Sequence, residues 1–175
     1  MKPLSSTSNA KLGLLSLGLL VALTGCKSNG SSAEDPLANV KRIDYSCQQN
    51  VARMDASLAN TAQPAQYATM AKMLEQCWQG VPLSNYHPDA QLGMQLMASS
   101  FLYAIQAGDS EKALNVLTQF EANFNGADLY FADYTSFIDT ATALLGMAQP
   151  SNLSNLNINA DLRSELERQS YWLQH

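Results

Sequence analysis

The sequence predicts an all-α domain of about six helices arranged as antiparallel helical hairpins, and three observations favour this fold class. Apolar residues recur every three or four positions from about residue 40 onward, which is the spacing of one buried helix face. Clusters of Gly, Pro, Asn and Asp interrupt this pattern where short connections between helices are expected. No segment alternates apolar and polar residues between turn signals, as a half-buried strand would.

The first four helices are predicted from four apolar stripes. The stripes comprise Val40, Ile43, Cys47, Val51, Met54 and Leu58, then Tyr67, Met70, Ala71, Leu74 and Cys77, then Leu92, Leu96, Met97, Phe101, Leu102 and Ile105, then Ala113, Val116, Leu117, Phe120 and Phe124. Pro64 and Pro88 suit the first turns of the second and third helices. Gly108 is placed to end the third helix, and Asp109 to cap the fourth.

The rest of the chain predicts two more helices. A fifth helix is expected from Asp128, and because it is apolar over most of its circumference we place it centrally. Its apolar residues are Tyr130, Phe131, Tyr134, Phe137, Ile138, Ala141, Leu144 and Leu145. A connection over residues 150–159 leads to a final helix capped by Asn159. The apolar face of that helix, with Leu162, Leu166, Gln169, Trp172 and Leu173, is expected to fold back onto the bundle.

The N-terminal residues have the three zones of an export signal. Lys2 and Lys11 make the start positive, and residues 12–23 (LGLLSLGLLVAL) form an apolar stretch. A permanent membrane helix needs about 20 apolar residues, so this shorter stretch suits a signal peptide that is removed.

The residues that follow, Leu23-Thr24-Gly25-Cys26, resemble the lipobox of bacterial lipoproteins. The resemblance implies that residues 1–25 are cleaved off and that Cys26 is acylated, which anchors the chain in membrane lipid. Lys27 stands where an Asp would resemble an inner-membrane retention signal, so the resemblance further implies the outer membrane, with the domain facing the periplasm. An ordinary cleaved signal with an incidental cysteine is the alternative.

The mature chain is expected to consist of a lipidated N-terminus with a flexible linker, residues 26–38, and a single helical domain, residues 39–175. Removing the leader also removes Lys2 and Lys11, which leaves eight basic and fifteen acidic side chains. An acidic chain without a basic cluster predicts no nucleic-acid partner and no electrostatic attachment to anionic lipid.

Cys47 and Cys77 are predicted to form a disulfide. Each lies 15 residues from the middle of the first helix connection, near Ala62, so both reach the same height in an antiparallel hairpin. An exported chain enters an oxidising compartment, and closing a loop of about 30 residues stabilises the fold by about 3 kcal/mol. A redox-active pair is the alternative, although the C-x-x-C spacing typical of such pairs is missing.

One segment resembles a tetratricopeptide repeat. Gly108-Asp109, followed by Ala113 and Leu117, is similar to the turn and second helix of that repeat, over about residues 94–124. Phe101 and Phe120 depart from the small residues usual at their positions, and a shift by the repeat length of about 34 residues finds no second good copy. Generic packing of a helical hairpin is the alternative.

Tyr130, Phe131 and Tyr134, with Phe137, are candidates for a peptide groove between hairpins. Trp172 is a candidate docking residue in the last helix. Core packing is the more common role for such rings and is the preferred expectation for them. The two histidines lack spaced Cys or carboxylate neighbours, so no metal or cofactor site is predicted. Acidic residues occur singly and no phosphate-binding or nucleophile motif is present, so no catalytic residue is predicted either.

The lipidated N-terminus, the short linker and the stapled helical hairpin together resemble the pilotins and tetratricopeptide lipoproteins. Those proteins help secretion channels and pilus secretins to assemble in the outer membrane. The resemblance therefore implies a lipid-anchored adaptor that binds an extended or helical segment of an envelope protein. Regulation of a cell-wall or other envelope enzyme is the alternative function, and catalysis is the least expected one.

Overall fold

The computed structural model describes residues 39–58 and 63–174. The predicted signal peptide, Cys26 and residues 27–38 lie outside the described residues, as does His175. The described residues belong to one compact unit. Within the described ranges the chain is helical and has no strand, which confirms the all-α fold class. One isolated antiparallel bridge joins Tyr130 and Ser136.

Six α-helices and one 3₁₀ helix make up the described chain. The α-helices are α1 (Tyr45–Ser57), α2 (Pro64–Trp78), α3 (Ala90–Gln106), α4 (Ser110–Asn123), α5 (Phe137–Leu144) and α6 (Ala160–Gln174), and the 3₁₀ helix η1 spans Pro150–Asn155. The predicted starting residues are found at three of these helices: Asp109 accepts a hydrogen bond from the backbone N–H of Lys112, Asn159 accepts one from the backbone N–H of Asp161 at 2.9 Å, and Pro64 opens α2. Helix α3 begins two residues after Pro88 rather than at it.

Helices α1 to α4 pack on one another in sequence order, with α3 between α2 and α4. Helices α2 and α3 run antiparallel, since Tyr67 faces Tyr103 at one end while the Ser100 hydroxyl donates to the Ala71 carbonyl, at 3.0 Å, further along. The largest buried side chains, all under 2% exposed, are Phe101, Phe120, Phe124, Phe137, Met70 and Met97. These side chains form one continuous core across α2–α5.

The connection between α2 and α3 is folded tightly onto α3. Gly93 permits this approach, because a Cβ at this position would lie 2.8 Å from Cδ1 of Leu83, and the Leu83 side chain would have to move. Leu83 is buried by this contact. The close approach fixes the loop against the helix, and no spacing in the sequence indicated it.

The N-terminal strap, residues 39–44, is fixed to the same loop. The guanidinium of Arg42 donates to both oxygens of Asp89, and the Ile43 N–H donates to Oδ2 of that buried carboxylate at 2.9 Å. His87 is also buried; its Nε2 lies 3.1 Å from the Lys41 carbonyl, and its Nδ1 accepts from the Asp89 N–H at 3.0 Å. These bonds define where the chain enters the domain from its linker.

The predicted start of the fifth helix at Asp128 is wrong. Residues 127–136 form a loop, and α5 begins only at Phe137, because Ser136 caps it by accepting from the Asp139 N–H at 3.0 Å. The Asp128 carboxylate instead accepts from the N–H groups of Leu129 and Ile138, which holds the two ends of the loop together. Tyr134 has a φ of 62°, a left-handed conformation that a helix excludes.

The predicted third hairpin is also not formed. Helix α6 packs mainly against η1, while α5 packs against α3. No side chain described in α6 is buried, and Leu162 and Leu166 are only half-buried. The polar residues between them leave α6 with too narrow an apolar face to compete for the core. Leu153 and Ile158, both buried, anchor this part of the chain instead.

Candidate binding groove on helix α3

Helix α3 carries three faces, and one of them is not covered by another helix. The other faces pack against α2, α4 and the start of α5, where Phe101 contacts Phe137. The third face presents a row of residues at the spacing of one helix surface: Gln95, Ser99, Leu102, Tyr103 and Gln106. We call the depression above this row the α3 groove. Its walls are the C-terminal half of α1 with the start of α2 on one side, and the loop of residues 127–136 on the other.

Three adjoining cavities make up the α3 groove. The first, of about 380 Å³, lies between Asp55, Tyr67 and Tyr103. The second, of about 570 Å³, lies between Phe131, Asp133 and Asn159, and it shares Leu102 with the first. The third, of about 230 Å³, shares Ser99 with the first and Phe131 with the second. The shared residues place the three cavities side by side across α3.

Two tyrosines and a carboxylate form the α1–α2 wall. The rings of Tyr67 and Tyr103 stack with centroids 6.1 Å apart and planes inclined by 21°. The Tyr103 hydroxyl donates to Oδ1 of Asp55. Burial and this hydrogen bond raise the pKa of Tyr103, so its phenol stays protonated. The wall is therefore a fixed arrangement of two aromatic rings and one negative charge.

The opposite wall is held in shape by hydrogen bonds to Asp133. Its Oδ1 accepts from the backbone N–H of Thr135 at 3.1 Å and from the hydroxyl of that residue at 2.6 Å. Its Oδ2 accepts from the side-chain amide of Asn159 at 3.2 Å. These bonds, first the one from the Thr135 side chain, lower the pKa of Asp133, so it is ionised at neutral pH. The loop of residues 127–136 is therefore an ordered wall of the groove, and it is hydrogen-bonded to the start of α6.

The structure separates the four predicted partner-binding residues. Phe131 lines two of the groove cavities and packs edge-on against Phe137, with ring centroids 6.3 Å apart. Tyr130 lies at the groove edge and is 61% exposed. Tyr134 lies on the same loop and is 81% exposed, outside the three groove cavities.

Trp172 is not part of the α3 groove. It is 67% exposed and lies 12 residues beyond the start of α6, about 18 Å along that helix. Its ring packs edge-on against Tyr171, with centroids 5.6 Å apart. The preferred expectation of core packing is therefore wrong for Tyr130, Tyr134 and Trp172, and right for Phe137.

The sequence pattern did not indicate Asp55, Tyr103 or the outward role of Leu102 in the groove. Leu102 was assigned to the buried stripe of the third helix, but it is half-buried and faces the groove. Tyr103 and Asp55 lie 48 residues apart in the chain, so no local spacing relates them. One signal for an uncovered face was available in the sequence. The apolar stripe of the third helix is wider than the surface that α2 and α4 can cover.

The predicted disulfide joins the hairpin below the groove. Cys47 and Cys77 are bonded, with Cα atoms 5.5 Å apart, which is the typical separation for a disulfide. This bond brings α1 against α2 at the height that the hairpin register predicts. It therefore positions the helix that carries Asp55.

The charges that line the groove are negative. Asp55 and Asp133 line its cavities, whereas none of the Lys and Arg side chains in the described ranges does. Residues 39–58 and 63–174 contain no group of three or more His, Cys, Asp or Glu side chains that could hold a metal ion. In the same ranges no helix has both the length and the apolar character needed to cross a membrane.

Comparison of the chain with known protein families, curated proteins and solved structures found no match. The function is therefore argued from the geometry and charge of the α3 groove.

Proposed function

We propose that this protein is a lipid-anchored adaptor of the bacterial envelope that binds a segment of a partner protein in the α3 groove. The acyl chains on Cys26 supply the membrane attachment, and the helical domain supplies the binding surface on the periplasmic side of the outer membrane. Binding rather than catalysis is its task. The partner belongs to a secretion or pilus assembly, as the pilotin-like build of the chain suggests.

The observation that carries this proposal is the uncovered face of α3. The three adjoining cavities span the width of a helix surface; the apolar side chain of Leu102 lines the first and second of them, and that of Phe131 lines the second and third. Concave apolar surfaces with a few fixed polar groups are typical of binding sites. An elongated groove of this kind fits a peptide segment with side chains directed into successive cavities.

The fixed walls also favour a binding role. Asp133 holds the loop on one side, and the disulfide holds α1 on the other. A groove whose shape exists before the partner arrives loses little conformational entropy on binding. The polar groups that line the groove, such as Ser99 and Gln106, provide hydrogen bonds to the backbone of an extended segment.

Site-specific photo-crosslinking in living cells tests the proposal. A photoreactive amino acid at Leu102, in the groove, is compared with the same group at Leu114, which is 44% exposed on α4 and outside the groove cavities. We expect Leu102 to give one dominant adduct with an envelope protein, mapped by mass spectrometry to one segment. Leu114 should give no such adduct.

The lipid anchor is tested in the same cells with Cys26→Ala. We expect the Leu102 adduct to decrease strongly, because the variant is released from the membrane and the local concentration of its partner falls. Equal adducts from Leu102 and Leu114, or adducts with unrelated soluble proteins only, would contradict the proposed function. If the crosslinked protein is a secretin or pilus subunit, the result supports a role in assembly. If it is a cell-wall synthase, regulation of an envelope enzyme replaces assembly as the function.

A further inference from the structure

The first cavity of the α3 groove combines groups that recognise a positive charge. Its walls contain the carboxylate of Asp55 and the stacked rings of Tyr67 and Tyr103. The face of an aromatic ring attracts a cation through its quadrupole, and a nearby carboxylate adds direct charge attraction. Leu58 and Leu102 also line the cavity, beside Ser99 and Gln106, and provide an apolar surface for the aliphatic stem of a long side chain.

The Asp55 carboxylate is not neutralised within the described chain. It accepts one side-chain hydrogen bond there, from the Tyr103 hydroxyl, and takes part in none of the ion pairs of that region. An ionised carboxylate accepts about four hydrogen bonds. The other carboxylate of the groove, Asp133, already accepts three bonds from Thr135 and Asn159. Asp55 is therefore the groove carboxylate with capacity for a new donor.

Tyr103 also favours a donor as the ligand. Its hydroxyl hydrogen is directed to Asp55, so the lone pairs of its oxygen remain available to accept a hydrogen bond. An anionic ligand would be repelled by Asp55. A guanidinium or ammonium group satisfies both acceptors and the tyrosine rings at once.

We propose that this cavity receives the lysine or arginine side chain of a partner protein segment, and that the adjoining cavity beside Phe131 receives an apolar side chain of the same segment. The proposal rests on the proposed function, because it names the chemistry of the segment that docks in the α3 groove. A protein segment is favoured over a small free cation because Leu102 joins the two cavities. A small cation fills only the first of them.

Selection from a phage-displayed library of random 12-residue peptides tests this inference and does not require the partner to be identified first. The target is the acylated mature protein in lipid nanodiscs. We expect the enriched peptides to share a Lys or Arg close to an apolar residue. Selection is repeated against Asp55→Asn, which keeps the shape of the side chain and its bond from Tyr103, and against Asp161→Asn. Asp161 is an exposed carboxylate of α6, so this control removes the same charge elsewhere.

The enriched peptide is then synthesised and its affinity measured by fluorescence anisotropy. We expect Asp55→Asn to weaken binding about tenfold, as is typical for the loss of a hydrogen bond to a charged group, while Asp161→Asn changes it less than about twofold. Replacing the peptide arginine with citrulline should weaken binding to the wild type, but not further weaken binding to Asp55→Asn. Tyr67→Leu, a second variant of the cavity, should weaken binding of the arginine peptide more than that of the citrulline peptide.

The possible failures are distinct. Enrichment of apolar peptides without a basic residue, or a basic preference that survives in Asp55→Asn, overturns the cation cavity and leaves the groove as a binding site. Leu102→Arg blocks the groove and gives the background level of selection. If the wild type enriches peptides no more than this variant does, the proposed function and the inference are both overturned.

Discussion

Two faces of helix α3 differ in what they contact although they share one backbone. The buried face contributes Met97, Phe101 and Ala104, each at most 1% exposed, to the core. The groove face carries Ser99 and Leu102, which are half-exposed and lie at the bottom of three adjoining cavities. One face holds the fold together, and the other remains available to a ligand.

The difference shows what leaves one face of a helix uncovered. Leu102 is as hydrophobic as the residues of the buried face, so composition does not separate the two. The position of each face separates them. Helices α2 and α4 occupy the sides of α3, whereas the walls on the third side do not cover it. The two faces should therefore separate in experiment, with substitutions on one changing stability and on the other changing binding.

The largest expected effect is on the buried face. Phe101→Ala should lower the free energy of unfolding by about 4 kcal/mol, because it empties a fully buried ring site packed against Phe137. Leu102→Ala, the matched change on the groove face, should cost about 1 kcal/mol, since that side chain is only half-buried. Urea unfolding followed by circular dichroism measures both. Equal losses would show that the two faces do not differ as described.

The disulfide is expected to rank second, and its loss should affect both stability and the groove. The double change Cys47→Ser with Cys77→Ser should lower the free energy of unfolding by about 3 kcal/mol, because the bond closes a loop of 30 residues. It should also loosen the α1 wall of the groove and weaken ligand binding. Denaturation of the wild type with and without reductant is the control. An unchanged denaturation midpoint after reduction would contradict a structural role for the bond.

The ion pair at the strap is expected to rank third. Asp89→Asn should cost about 2 kcal/mol, less than a fully buried pair, because Asp89 is buried but the Arg42 side chain is 48% exposed. The strap lies away from the groove cavities, so ligand affinity should be unchanged. Chemical unfolding, compared with Asp161→Asn, measures the loss. If Asp89→Asn changed ligand affinity as much as a groove variant does, the separation of stability from ligand binding would be contradicted.

The same carboxylate predicts a pH dependence. Hydrogen bonds from Arg42, opposed by burial, keep the pKa of Asp89 below its ordinary value. The stabilisation is therefore complete above the ordinary Asp pKa of about 3.9 and is lost as the pH falls through the lower native value. Wild-type protein should lose more stability than Asp89→Asn on acidification below about pH 4. Parallel pH curves for the two proteins would contradict this assignment.

The sequence predicted helices α1 to α4 and their disulfide, because each helix has a clear apolar stripe. It failed at residues 128–136, where aromatic residues at helical spacing suggested a continuous helix. The hydrogen bonds of Asp128 to Leu129 and Ile138 close a loop there instead, and this tertiary arrangement outweighs the local pattern. The sequence also failed to predict the packing of α6. The apolar face of this helix is too narrow to form a third hairpin with α5.

The candidate site was predictable only in part. Phe131 was identified from its aromatic neighbours and does line the groove. Asp55 and Tyr103 were not identified, because their contact depends on how α1 lies against α3 and not on any local spacing. The uncovered face itself follows from the number of helices around α3. That number is a property of the assembled fold.

The central claim is most directly tested by measuring stability and partner crosslinking together in Leu102→Gln. The photoreactive group is placed at Gln106, on the same face of α3 and exposed. We predict that crosslinking to the envelope partner falls about tenfold, while the free energy of unfolding changes by about 1 kcal/mol. Undiminished crosslinking, or a loss of stability as large as that of Phe101→Ala, would contradict the claim that this face of α3 exists to bind a partner.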